Sequence, residues 1–269
     1  MNKNCPNIID LFCGCGGFSL GFERAGFNVL LGIDVWKDAL ETFSHNHKGS
    51  KTLLADLSVL KPQETDALLN GNPVDVIIGG PPCQGFSVAG KRVVDDLRNM
   101  LYKAFVAFVA HFRPKAFVLE NVPNILSIGG GVVRDSIISD FSNLGYTVEY
   151  KILTASDFGV PQNRKRAIFV GFKNGHHFLF PEPLKTDKIT SEEALSDLPE
   201  NEISDGNNYP TEASSDYQRL MRENSHGVFN HHPTIHSQKT KDIIALVPDG
   251  GNYKDLPPEL QATRKVHIA

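Results

Sequence analysis

The stretch Val74-Asp75-Val76-Ile77-Ile78-Gly79-Gly80-Pro81-Pro82-Cys83-Gln84-Gly85-Phe86-Ser87 decides how this chain folds. An apolar run of strand length feeds into two glycines and two prolines, which marks a buried strand ending in a rigid turn. Proline fixes φ, so the turn has little freedom. A cysteine delivered there stands at the carboxyl end of a strand, where open α/β sheets place their ligands. Cysteine is equally at home as a small buried hydrophobe, so the turn draws its meaning from the rest of the chain.

Upstream, Asn7-Ile8-Ile9-Asp10-Leu11-Phe12 reads as a first strand, and Cys13-Gly14-Cys15-Gly16-Gly17 as a glycine-rich turn. Residues 18–25 have helical spacing, stopped by Gly26. Further strands are expected over 28–34, 52–56 and 116–120, ending in Asp34, Asp56 and Glu120, and over 147–153 and 166–172. Helices are expected over 38–45, 100–112 and 132–144. Strands alternating with helices at this spacing predict a doubly wound, mostly parallel α/β sheet. The alternation fades after residue 180. Residues 181–269 are rich in Pro, Asn, Ser and His, with one helical stretch near 238–247. The expected organisation is a catalytic and cofactor-binding domain over 1–180 and a smaller irregular region over 181–269.

Composition narrows the class. The chain has 269 residues, 41% hydrophobic and 22% charged, as a soluble globular protein has. Its apolar runs are too short for a membrane span, and residues 1–8 lack the apolar core of a signal peptide. Cys5, Cys13, Cys15 and Cys83 make no disulfide framework in a chain this long, so a reducing cytoplasm is expected. Cys13-x-Cys15 has no second ligand pair, so no metal is expected. The net charge of −4 argues against a general polyanion binder. Residues 1–180 carry 18 Lys and Arg against 16 Asp and Glu, while residues 181–269 carry 9 against 15. Between Lys188 and Arg219 there is no basic residue, so that stretch is a poor phosphate-contacting surface.

The glycine turn departs from the G-x-G-x-x-G fingerprint. A glycine turn before a helix still lets a ligand approach the backbone closely. Asp34, ending the second strand, stands where ribose hydroxyls are gripped. Asp56 is placed to accept from an adenine amino group. The adenosine belongs to NAD or to S-adenosylmethionine, and the missing fingerprint favours the latter. Three more elements lie at strand ends: Asp96-Leu97-Arg98, Glu120-Asn121-Val122 and Gln162-Asn163-Arg164-Lys165-Arg166. With Cys83 they supply a nucleophile, a carboxyl group and arginines to orient both.

These motifs together resemble the C5-cytosine-specific DNA methyltransferases of bacterial modification systems. The resemblance runs through Asp10-Leu11-Phe12-Cys13-Gly14-Cys15-Gly16-Gly17-Phe18, Asp34, Asp56, the Gly80–Ser87 turn, Asp96-Leu97-Arg98, Glu120-Asn121-Val122 and Gln162-x-Arg164-x-Arg166. It covers residues 7 to about 173 in the family's order.

The resemblance implies a Rossmann-like fold, S-adenosyl-L-methionine as methyl donor with S-adenosyl-L-homocysteine as product, and no metal. It implies attack by Cys83 on cytosine C6, with protonated Glu120 donating to N3 and Arg164 positioning Glu120 and the base, assisted by Arg166. Phe12, Gly14, Gly16, Gly17, Phe18, Asp34, Val35, Asp56, Leu57, Pro81 and Leu101 are the implied cofactor contacts, with adenine stacking falling to Val35 or Trp36. Gln84, Ser87 and Arg98 are the implied DNA contacts, in a loop over 86–98 that closes on a flipped base. The implied partners are double-stranded DNA and a companion restriction endonuclease acting on the same site, for a monomer in the cytoplasm. A tRNA cytosine-5 methyltransferase is the alternative with the same chemistry, and a truncated, catalytically weak DNA-binding relic is the alternative without it. The family continues beyond its target-recognition region, whereas this sequence stops at Ala269. Residues 181–269 are therefore expected to be a partial target-recognition domain, with His226, His231, His232, His236 and Lys239 facing DNA and cofactor binding weakened.

Overall fold

A computed structural model of the chain describes residues 5–82, 97–232, 234–248 and 250–261. Packing divides it into two compact units, Met1–Ile189 and Thr190–Ala269. Among the described residues no helix is long and apolar enough to cross a membrane.

The first unit is built on a seven-stranded sheet ordered β3-β2-β1-β4-β5-β7-β6. The strands are β1 (Asn7–Leu11), β2 (Asn28–Asp34), β3 (Lys51–Leu54), β4 (Val76–Gly79), β5 (Ala116–Asn121), β6 (Tyr146–Thr154) and β7 (Lys165–Lys173). The first five run parallel, and β7 runs antiparallel to both β5 and β6. Helices α1 (Gly17–Arg24), α2 (Lys37–Asn46), α3 (Leu97–Phe112) and α4 (Val132–Asn143) connect them. The chain winds outward from β1 through β2 to β3, then returns to β4 on the other side of β1. That reversal puts the switch point, where doubly wound sheets bind ligands, between the carboxyl ends of β1 and β4.

Both faces of the sheet are buried, and the period of two sorts its side chains. Ile8, Val76, Ile78 and Ala116 join Leu40 and Phe43 of α2 on one face. Ile9, Leu11, Ile77, Phe117 and Leu119 join Phe105 and Phe108 of α3 and Phe141 of α4 on the other. Phe117 stacks on Phe141 with centroids 3.9 Å apart. Its ring also covers Gly171, its register partner on β7, where a side chain would overlap the ring. Asp10 follows Ile8 on the same face, so the pleat carries a carboxylate into an apolar layer, where it is 1% exposed. The third strand ends at Leu54, two residues short of Asp56.

The second unit has short helices α5 (Ser191–Leu195), α6 (Asp216–Arg222), α7 (Gln238–Ala245) and α8 (Pro258–Gln261). Thr190, Ser215 and Ser237 cap the first three by accepting from Glu193 N, Gln218 N and Thr240 N. Its interior mixes apolar Val228 and Leu256 with polar side chains. Gln218, 1% exposed, accepts from Ser214 N at 2.7 Å and donates to Ser196 Oγ at 3.1 Å. Buried Asp197 accepts from Arg222 Nε at 2.8 Å. The Arg222 guanidinium lies 3.8 Å over the Tyr209 ring and donates to Thr211 O.

Candidate active site

The glycine turn lies at the carboxyl end of β1. Phe12 holds a left-handed φ of 60°, uncommon for a bulky residue and found where surrounding structure enforces it. Gly14 (φ 52°) and Gly16 (φ 91°) continue the turn, and Gly17 opens α1. Asp34 at the end of β2 clamps the turn from one side. Its Oδ2 accepts from Gly14 N at 2.8 Å and its Oδ1 from Trp36 N at 2.9 Å. A carboxylate has four lone-pair sites, so Asp34 keeps capacity toward a ribose. A Cβ on Gly14 or on Gly17 would meet nothing within 4 Å, so the backbone faces open space there. Val35 and Trp36, 69% and 64% exposed, project beside it. Open glycine backbone, a ribose-compatible carboxylate and exposed apolar surface fit an adenosine-bearing cofactor.

The other expected contacts lie near this edge in different states. Asp56 is exposed and accepts from Ser58 N at 2.8 Å. Hydrogen bonds from Ser58 hold its carboxyl below the usual range. Leu57 and Pro81 are buried, and Phe18 and Leu101 half-buried. Beneath the turn, Asp10 accepts from Ser19 Oγ at 2.7 Å. Burial, opposed by the Ser19 hydrogen bonds and reinforced by Asp34, pushes the Asp10 carboxyl up to about 7. Cys13 is buried and its thiol pushed up, first by burial and then by Asp10 and Asp34, so it is inert as a nucleophile.

The second cluster forms at the ends of β4 and β5. Gly79 packs against the Leu11 carbonyl so closely that no side chain fits. A Cβ on Gly80 would stand 2.9 Å from Glu120 Oε2, so the glycine leaves the carboxylate its room. Asn121 Nδ2 donates to Pro81 O at 2.8 Å, a buried bond fastening the rigid turn to β5. Glu120, about one-third exposed, forms an ion pair from Oε1 to Arg166 Nε at 2.6 Å. The register explains the pairing. Glu120 faces Ile168 across the ladder, and Arg166 lies two residues along the same face. Arg164 precedes β7 and its side chain is exposed. Among the described residues no carboxylate lies within ion-pair distance of it, so the contact expected of Arg164 is made by Arg166.

Cys83, Gln84 and Ser87 lie outside the described residues, as does the Arg98 side chain. Pro82 is the last residue described before Cys83. In the second unit, His231 is bonded to Pro199 O at 2.7 Å, and His232 lies between Glu202 at 2.7 Å and Asp205 at 3.8 Å. Sequence reading left Asp10, Ser19 and Asn121 without site roles. The signal available for Asp10 was a carboxylate placed in an apolar strand, with Ser19 nine residues on.

Comparison with known proteins gives this geometry a family. The profile described as C-5 cytosine-specific DNA methylase matches residues 6–266. The type II methyltransferase M.DdeI of Desulfomicrobium norvegicum is 42% identical over 94% of this chain and 63% of its own length. M1.HphI of Haemophilus parahaemolyticus, also a type II methyltransferase, is 40% identical over 94% of this chain and 64% of its own. The chain thus spans less than two thirds of these curated relatives. A prophage-encoded E. coli protein assigned to the DNA modification methyltransferases superposes with a TM-score of 0.71 at 29% identity, covering 90% of this chain and 75% of that one. By the family profile and its relatives, the chain belongs to the C-5 cytosine-specific DNA methylase family.

Proposed function

We propose that this chain methylates C5 of a cytosine flipped out of duplex DNA, with Cys83 as nucleophile. The observation that carries this reading is the Asn121–Pro81 bond. It fastens the turn leading to Cys83 beside the paired Glu120, at the edge where the glycine turn of β1 also opens. A nucleophile and an acid are useful together only within reach of one substrate ring.

Cytosine C5 is too weak a nucleophile to take a methyl group unaided. The Cys83 thiolate attacks C6, forming an S–C6 bond and moving the ring electrons toward C5. Glu120, entering the step protonated, delivers that proton at N3 and so stabilises the electron-rich ring. Arg166 holds Glu120 Oε1 and leaves Oε2 beside Gly80. Gly14, Gly16 and Gly17, with Phe12, Phe18, Asp34, Val35, Trp36 and Asp56, would hold S-adenosyl-L-methionine, which when bound supplies the methyl group and leaves as S-adenosyl-L-homocysteine. Once C5 carries the methyl group, solvent takes the C5 proton, that electron pair re-forms the C5–C6 double bond and expels Cys83 as thiolate, and N3 returns its proton to Glu120. Gln84, Ser87 and Arg98 are assigned to the DNA side, and Arg164 to positioning the base. Domains over 1–180 and 181–269, the second for target recognition, complete the reading. So do a monomeric state, a cytoplasmic location and a companion restriction endonuclease, the last in keeping with the type II naming of the relatives.

The test is covalent trapping. Duplex DNA containing 5-fluorocytosine should form a donor-dependent, denaturation-resistant adduct with the wild-type chain and none with Cys83→Ser. Methyl transfer in that variant should fall below detection. Turnover retained by Cys83→Ser overturns the nucleophile, and turnover on tRNA but not DNA overturns the substrate.

A further inference from the structure

A buried histidine stands under the glycine turn, and the mechanism above does not use it. His47 closes the C-terminus of α2 and its side chain is 1% exposed. Its Nδ1 lies 2.8 Å from Glu23 Oε2 on α1. The imidazole packs on the Phe43 ring with centroids 4.3 Å apart. Above it lies Gly16, the residue that turns the chain into α1. A Cβ on Gly16 would stand 2.5 Å from His47 Cδ2 and 2.8 Å from Phe43 Cδ2, and would overlap His47 Nε2. Phe43 is itself seated against Gly32 of β2, where a Cβ would lie 2.6 Å from its ring.

The turn is therefore gripped twice. Asp34 holds Gly14 from β2, while His47 and Phe43 fill the space beneath Gly16. Of the three glycines of the turn, Gly14 and Gly17 face open space. The spacing of the glycines follows: Gly16 is glycine because of the floor under it, and the other two leave room above. An imidazole is rigid, and its Nδ1 bond to Glu23 fixes the ring's orientation, so the floor has one shape.

We propose that His47, tethered by Glu23, is a positioning residue that holds the glycine turn in its donor-binding shape from beneath. This rests on the methyl-donor reading of the turn. Pre-organising a binding loop raises affinity by removing the cost of ordering it. His47→Ala opens a space under Gly16. His47→Gln keeps an amide near the position of Nε2, under the turn. Glu23→Ala removes the tether but keeps the ring.

The test combines two readouts on folded protein. Hydrogen exchange at the amides of residues 14–19, without ligand, should quicken at least about tenfold in His47→Ala, with β6 and β7 unchanged. Calorimetry should show S-adenosyl-L-homocysteine binding weakened about tenfold. In turnover, KM for the donor should rise while kcat and KM for DNA stay within about twofold. His47→Gln should recover most of the affinity, and Glu23→Ala should show a smaller loss in the same direction. Should His47→Ala fail to fold, Glu23→Ala carries the test. Unchanged exchange at the turn, or unchanged affinity in a folded variant, overturns the proposal. Faster exchange in the variant of a chain whose wild type binds no donor product upholds the positioning role and instead removes the donor assignment of the turn.

Discussion

The two units are held together by different chemistry. Met1–Ile189 rests on a sheet with apolar side chains on both faces, and its largest buried groups are Phe43, Phe105, Phe108, Phe117, Phe141 and Phe169. Thr190–Ala269 has short helices, and its best-buried side chains include Gln218 and Asp197. Apolar burial is non-directional and survives small shifts. A buried amide or ion pair has one good geometry, and losing half of it strands the other half. The first unit should therefore break when volume is removed, and the second when a polar partner is removed.

The sharpest contrast comes from one deletion in each. Phe117→Ala removes the ring stacked on Phe141 and covering Gly171, and should cost about 3–5 kcal/mol. Chemical denaturation followed by hydrogen exchange in β5 and β7 measures it. Arg222→Leu leaves Asp197 buried without its guanidinium and should cost about 3–5 kcal/mol in the second unit alone. Limited proteolysis within 190–232 should accelerate while the β-sheet stays protected. The double variant Asp197→Leu/Arg222→Leu should recover much of the loss, and failure to recover would count against the ion-pair account.

Asp10 is the exception inside the apolar unit, and pH isolates it. Burial pushes its carboxyl up to about 7 from an ordinary value of 3.8. Between those values the unfolded chain has released the proton and the folded chain retains it. Stability from this group therefore falls as pH rises from about 4 to about 7. Asp10→Asn keeps an acceptor for Ser19 Oγ and removes the titration. Its stability relative to wild type should climb across that window, by at most about 4 kcal/mol. Thermal melts at pH 5 and pH 8 give the difference, and parallel curves would refute it. The smallest effect is expected at Ser215→Ala, which deletes the cap of α6 and should cost about 1 kcal/mol. Loss of helicity confined to the second unit would show it.

The comparison also marks what a linear reading reaches. Apolar runs of strand length, acid-ended in β2 and β5, located β1, β2, β4 and β5 to within about two residues, because an element buried on both faces leaves a continuous apolar signature. Asp56 fell two residues past the end of β3, because a strand end is set by its last ladder bond and not by the run of side chains. The antiparallel course of β7 and the helix α6 had no periodic signal. The first depends on a neighbour reached after a turn, and the second on Gln218 and Arg222 finding partners across the unit.

At the candidate site, the sequence by itself named the candidates: Cys83, Glu120, Asp34, the glycine turn, Arg164 and Arg166. Motif order and residue chemistry suffice for that, since reactive groups are named by type. Tertiary structure alone decided how they are arranged. It placed Arg166 on Glu120 through the diagonal of a β-ladder, tied Pro81 to Asn121, put Asp10 in an apolar layer and set His47 under Gly16. Each of these contacts joins residues whose distance is fixed by register and packing, which local sequence does not encode.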